Sequence, residues 1–213
     1  GTFVEAVLPI GDELAAVDAY LDDDGGTYQP LGPSRVFVLD GASGAVKDTI
    51  TLPDAALNAI DAVVVGGRLV VLLGGTLDPL SFLPMGDGGV VVVDLATRTA
   101  GPVLPLAANG VAIEAGADGL VYVTSTNDFV ETDLVSVDPV AGSFVAGPST
   151  PLDPRRAGGA HIQCWAATAL KDGRLLCVTF QIAEAGRLYL LDPAGDEIDH
   201  DRSGFGSTDL LLR

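Results

Sequence analysis

A short apolar strand that ends in Asp and runs into a polar turn occurs four times in this chain. The copies are Val36-Phe37-Val38-Leu39-Asp40, Val91-Val92-Val93-Asp94, Leu134-Val135-Ser136-Val137-Asp138 and Leu188-Tyr189-Leu190-Leu191-Asp192. Their Asp residues are spaced 54, 44 and 54 positions apart. A period in that range marks a repeat architecture, in which each unit is one supersecondary element that can bury its faces only against its neighbours. Each unit reads as four strands. In the second unit, residues 59–65 form the first strand, Gly66-Gly67 supplies a favoured hairpin turn, and residues 68–73 form the second strand. A long loop, residues 74–88, leads to a third strand at 89–94, and a turn at 96–99 leads to a fourth at 100–106.

The faces of these strands set the fold class. Residues 69–73 and 90–93 are apolar at every position, as expected of strands buried on both faces. In the fourth strand of the first unit, Val46, Ile50 and Leu52 alternate with Lys47, Thr49 and Thr51, as expected of a half-exposed edge. Inner strands covered on both sides and a wetter outer strand predict an all-β fold, a β-propeller of four-stranded blades. The 213 residues suit one domain with a sizeable core. Blade boundaries are expected near residues 1–53, 54–106, 107–151 and 152–198, with a tail at 199–213 that ends in an apolar strand at 209–212. About four blades either close as a small ring or belong to a larger propeller, and the sequence reading favours the larger one. The chain begins at Gly1 rather than Met and shows no signal peptide, so an upstream segment is expected to be missing.

The charge balance excludes some partners. Acidic residues number 29 against 11 basic ones, for a net charge of −18. A field this negative repels nucleic acid and anionic membrane surfaces. No apolar stretch reaches the roughly 20 residues that a bilayer span requires. Many Asp residues stand beside Gly or Pro, as in Asp87-Gly88, Asp118-Gly119, Asp172-Gly173 and Asp192-Pro193, which points to turn chemistry more than to a ligand. High-salt adaptation and divalent-cation binding are the alternatives.

Gly119-Leu120-Val121-Tyr122-Val123-Thr124, followed by Asn127 and then Val135-Ser136-Val137-Asp138, resembles the YVTN-type β-propeller repeat, related to quinoprotein-like and surface-layer propellers. Asp172-Gly173-Arg174-Leu175-Leu176-Cys177-Val178-Thr179 with Leu190-Leu191-Asp192 is a looser copy. The resemblance implies a secreted, periplasmic or cell-surface protein that binds partners, with enzymes in the minority. The chain departs from the repeat in its long loops at residues 21–34 and 74–88 and in its small number of units.

Four sets of residues are candidates for function. Asp22 and Asp24, with Asp18 upstream, offer closely spaced oxygen ligands for calcium, although the full EF-hand loop is absent. His161, with Arg155 and Arg156, lies in the loop entering the fourth blade, where it is expected to border the central channel and hold a ligand. His161 is also the residue around which a hydrolase or lyase site would be built. The Glu197-to-His200 spacing would serve a metal on a helix, and none is expected there. The loop Leu77-Asp78-Pro79-Leu80-Ser81-Phe82-Leu83-Pro84-Met85 is apolar where polarity is expected. It either folds back on its blade or offers Leu80, Phe82, Leu83 and Met85 to another chain. No cofactor-binding motif is present. In a straight hairpin closed at Asp172-Gly173, Cys164 would face Gln181 and Cys177 would face Thr168. The two sulfurs would then lie on the order of 13 Å apart, so both thiols are expected to be free. The leading expectation is a non-catalytic extracytoplasmic binding or scaffold module with a protein partner.

Overall fold

The computed structural model of the protein describes residues 3–22, 29–179 and 185–205. They form sixteen strands and, among the described residues, no helix. The chain divides into two compact units, residues 1–110 and 111–213.

The first unit holds two antiparallel four-stranded meanders. One is β1 (Val4–Ile10), β2 (Glu13–Asp18), β3 (Arg35–Asp40) and β4 (Val46–Thr51), in that spatial order. The other is β5 (Ala59–Val65), β6 (Arg68–Leu73), β7 (Gly89–Asp94) and β8 (Thr99–Pro105), again in chain order. The second unit holds the other two meanders, the first of which begins at the boundary. They are β9 (Asn109–Ala115), β10 (Val121–Thr126), β11 (Thr132–Asp138) and β12 (Ser143–Ala146), then β13 (Ala166–Ala169), β14 (Leu175–Val178), β15 (Ala185–Leu191) and β16 (Glu197–Phe205). Four such sheets are four propeller blades. The last strand of the fourth sheet runs beyond Ile198, so residues 199–205 belong to that sheet rather than to a separate tail. The expected strand at 209–212 lies outside the described residues.

Burial follows the apolar pattern. Leu69 to Leu73 along β6 and all of β10 are buried, and β7 is nearly so. In the first unit, residues from both sheets make one core, with Val17, Val36 and Val38 packed in the same cluster as Leu69, Val71 and Val91. In the second unit, Tyr122 and Leu134 share a core with Leu175, Tyr189 and Leu191. Each such aliphatic side chain taken fully out of water contributes roughly 1.5–3 kcal/mol. A single four-stranded sheet has two apolar faces in its middle strands and is stable only when another sheet covers them. The outer strand is wetter: in β4, Ile50 is buried while Val46, Lys47, Thr49 and Thr51 are exposed.

The recurring Asp has one job in all four sheets. Its Oδ1 accepts hydrogen bonds from the turn that joins the third strand to the fourth. Ser43 N–H and hydroxyl donate to Asp40, Ala96 and Thr97 N–H to Asp94, Val140 and Ala141 N–H to Asp138, and Ala194 and Asp196 N–H to Asp192. These are Asx turns, which satisfy donors that a tight reversal would otherwise leave unpaired. The hairpin turns also follow the sequence. Gly66 and Gly67 lie at φ of 57° and 77°, the left-handed pair that a two-residue hairpin requires.

Asp18, at the end of β2, is buried with no exposure. Its Oδ1 accepts the N–H groups of Phe3 (2.7 Å) and Tyr20 (3.1 Å), and its Oδ2 accepts Nε (3.1 Å) and Nη2 (2.5 Å) of Arg35 on β3. The Arg35 guanidinium also lies over the Tyr20 ring, 3.9 Å from its centre. One carboxylate thus ties the start of the first strand, the end of the second and the start of the third.

The cysteines correct an expectation. Cys164 and Cys177 form a disulfide, with Cα atoms 5.6 Å apart. The strand β13 is only four residues long, and its register places Cys177 opposite Ala167, not Thr168. The chain bends at Trp165, whose N–H donates to Val178 O at 2.8 Å, and Cys164 lies beyond the bend. A straight strand through Cys164 would have kept the two thiols apart, and the bend brings them together.

Two outcomes follow for stability. Asp18→Ala leaves the partly covered Arg35 cation without its carboxylate and is expected to cost about 3–5 kcal/mol in chemical denaturation. A loss below about 1 kcal/mol would show that the pair does not anchor the sheet. Denatured but unreduced protein is expected to take up no thiol-alkylating reagent. Reduction, which opens a 13-residue separation, is expected to lower stability by about 3 kcal/mol.

Candidate functional site

The loop between β6 and β7 is held rigidly at its base. Asn58 Nδ2 donates to Gly75 O at 2.7 Å, and Asn109 Nδ2 donates to Thr76 O at 2.8 Å. Asn109 Oδ1 accepts Gly86 N–H, and Asp87 accepts both the N–H and the hydroxyl of Thr76. Gly75 sits at φ +70°, and a Cβ there would come within 2.6 Å of Asp87 Oδ1 and 2.7 Å of Gly88 N, so the closure admits only glycine.

Its outer part is equally ordered. Leu77 and Pro84 form a β-bridge, Asp78 N–H donates to Leu83 O, and Phe82 N–H donates to Asp78 O. Asp78 Oδ1 accepts the N–H of Leu80, the N–H of Ser81 and the hydroxyl of Ser81. The Ser81 N–H, then its hydroxyl and the Leu80 N–H, hold the Asp78 carboxyl below its usual range. Phe82 adopts a left-handed φ of 58°, a conformation that an aromatic residue rarely takes. What this loop displays is apolar: Leu80 is 90% exposed, Phe82 68%, Met85 58% and Leu83 50%. The structure therefore places all four interface candidates in the open and none folded back on its blade.

Beside the loop lies a groove of about 820 Å³. Phe3, Leu21, Pro30, Leu77, Pro79 and Phe82 give it apolar walls. These residues come from the position just before β1, from the β2–β3 connection and from the β6–β7 loop. Asp18 sets the first two walls, because it holds Phe3 and Tyr20, and the bridge between Leu21 and Pro30 follows directly. No single segment of the sequence signals this groove. The apolar residues Leu21 and Pro30 flank the Asp22-Asp23-Asp24 run, whose charge drew attention instead.

The other candidates are placed differently. Both oxygens of Asp18 are taken by N–H donors, so it is committed to Arg35 and not free for calcium. Asp22 N–H donates to Gln29 O, and Asp24 lies outside the described residues. Among the described residues, no three His, Cys, Asp or Glu side chains gather where they could hold a metal ion.

His161 Nδ1 lies 2.8 Å from Asp153 Oδ1, and Arg155 pairs with the other oxygen of the same carboxylate. The His161 contact, followed by Arg155, holds the Asp153 carboxyl below its usual range. Arg155 N–H donates to Gly195 O, and Glu197 N–H donates to Arg155 O. This loop is therefore fastened to the β15–β16 turn, on the fourth-strand side of its sheet. The same loop leads into β13, the first strand of that sheet. Arg156 lies over the Tyr189 ring at 5.7 Å and does not join the His161 pair. Glu197 and His200 are on a strand, with His200 Nδ1 2.7 Å from Glu197 Oε1. Among the described residues, no helix is long and apolar enough to cross a membrane.

No family model matches the chain, and no curated protein matches it. Solved structures do. Hydrazine synthase from Kuenenia stuttgartiensis superposes with a TM-score of 0.60 at 13% identity, over 94% of this chain and 49% of that one. The WD40 domain of Toxoplasma gondii coronin gives 0.57 at 15% identity, over 92% and 45%. The β-propeller domain of the Trilobed protease from Pyrococcus furiosus gives 0.52 at 10% identity, over 97% and 58%. The chain thus spans about half the length of the structures it matches. At these identities the likeness is one of fold, and the fold is the β-propeller.

Proposed function

We propose that this chain is a non-catalytic propeller module that binds a protein partner through the loop at residues 74–88, as a subunit or domain of a larger assembly. The observation that carries this reading is the exposure of Leu80, Phe82, Leu83 and Met85 on a loop whose backbone is fixed at base and tip. An apolar patch held in one conformation loses little freedom on binding, which favours association. The fold itself decides nothing, because similar structures include both a WD40 domain and a domain of a protease.

The reading includes an extracytoplasmic location and membership of the YVTN-type repeat class. The Cys164–Cys177 disulfide supports the location, since such bonds persist in oxidising compartments. The Asp-capped turn after each third strand is in keeping with the repeat class. A hydrolase or lyase built on His161 has weaker support. Asp153 does orient the His161 ring, but Asp153 is itself shared with Arg155, and both members of the pair are open to solvent.

The test is affinity purification from the envelope and secreted fractions, identification of what is retained, and titration calorimetry with the purified partner. Phe82→Asp is expected to weaken the complex at least tenfold, as truncating an apolar anchor costs about 2 kcal/mol. His161→Ala is expected to leave the affinity unchanged. Equal binding by wild type and Phe82→Asp would reject the loop as the contact.

The presentation of the loop is separately measurable. Asp78→Ala is expected to speed amide exchange at Leu80 and Ser81 without altering exchange in β6 or β7. In the wild type the same amides are expected to stay protected above the usual carboxylate pKa. Their protection should fade only as pH falls through the depressed pKa of Asp78.

A further inference from the structure

We infer that the groove beside the 74–88 loop takes a peptide segment of the partner that combines apolar side chains with Lys or Arg. This rests on the binding reading above and names the chemistry of what is bound. Two observations carry it beyond a bare apolar surface.

The first is the charge of the groove. Among its described lining residues are two carboxylates, Glu5 and Asp78, and no basic side chain. Asp78 uses Oδ1 for the turn. Glu5 is exposed on β1, and no hydrogen bond or ion pair among the described residues engages it. Arg35 and Lys47, the cations of the same sheet, are already matched by Asp18 and Glu13. The groove is thus apolar in its walls and negative where it meets water, so a cationic side chain completes it and an anionic one is repelled.

The second is how Glu5 comes to be there. The pairing of β1 with β2 slips between Val4 and Ala6, so that Val4 faces Asp18 and Ala6 faces Val17. Glu5 is the extra residue of a β-bulge. Bulges redirect side chains and concentrate beside binding sites. Here the slip puts a free carboxylate on the wall that Phe3 also forms.

A peptide fits better than a compact small molecule because the apolar surface does not stop at the groove. It continues onto Leu80, Leu83 and Met85, which do not line it. An extended segment can fill the groove and cover this strip at once, whereas a ligand confined to the cavity leaves the strip exposed.

The experiment is fluorescence polarisation with four labelled synthetic peptides of equal length. The first carries Leu, Phe and Arg; in the second and third, Gln or Glu replaces Arg; the fourth carries Arg and Gly only. The whole chain is used, as wild type, Glu5→Gln, Phe82→Asp and Asp133→Asn, the last an exposed carboxylate in the other unit. The Leu/Phe/Arg peptide is expected to bind the wild type most tightly and to weaken with added salt. Glu5→Gln is expected to weaken that peptide about fivefold, the scale of one partly screened ion pair, and to leave the Gln peptide unchanged. Asp133→Asn is expected to change nothing, which separates a local site from general attraction to a chain of charge −18.

Equal binding of the Arg and Gln peptides, or a Glu5→Gln variant indistinguishable from wild type, overturns the inference. So does equal loss in Asp133→Asn, or binding of the Arg/Gly peptide as tightly as the first. If no peptide binds while Phe82→Asp still disrupts the purified complex, the groove inference fails and the loop reading stands. If the Arg peptide binds with the expected Glu5 dependence while Phe82→Asp leaves the partner complex intact, the loop reading fails and the chemistry assigned to the groove stands.

Discussion

Strands β6, β7 and β10 are covered on both faces along nearly their whole length, and the rest of the molecule depends on burial of this kind in the middle of the sheets. Val17, Val36, Leu69 and Val91 have no exposure and come from the second and third strands of two different sheets. Strands of this kind offer no face to water. Their sheets are stable only in contact with others, and every polar function must move to the ends of the strands. This is why the candidate surface is built from loops and from the start of an edge strand. It is also why Asp appears at each third-strand exit, where an apolar strand turns back within a few residues and its N–H groups need an acceptor.

Asp18 extends the same logic to a connection that is not tight. The β2–β3 connection in the first sheet is too long to be satisfied by one Asx turn. A buried carboxylate with four N–H donors performs that task across Phe3, Tyr20 and Arg35. The groove beside the 74–88 loop inherits its shape from this arrangement. The walls are apolar because Phe3 and Leu21 are led there by a residue whose own charge is fully spent.

Much of the fold was legible because burial and turn chemistry act locally. Strands β5, β6 and β7 begin and end at the residues that the apolar runs and the Gly66-Gly67 turn predict. The exposed 77–85 segment was legible as an anomaly of composition. What failed to show depended on departures from regular geometry. The bend at Trp165 brought Cys164 to Cys177, and no apolar pattern announces a bend. The groove joins Phe3, Pro30 and Phe82 across 79 positions of sequence, and nothing in any one segment signals the others. The bulge at Glu5 is a slip of one residue, invisible where apolar and polar residues alternate loosely.

The turn carboxylates have a consequence for how this surface can vary. Each repeat Asp acts through an acceptor oxygen, and an amide carbonyl at the same position is an acceptor of nearly the same shape. Charge and conformation are therefore separable at Asp138 and Asp192, whose described contacts are all with backbone N–H groups. Asp94 is different, since it also pairs with Arg68. The negative field around this protein can be tuned residue by residue, over evolution or by design, while the blades keep their turns. The architecture and the electrostatic character of the molecule are free to diverge along separate paths.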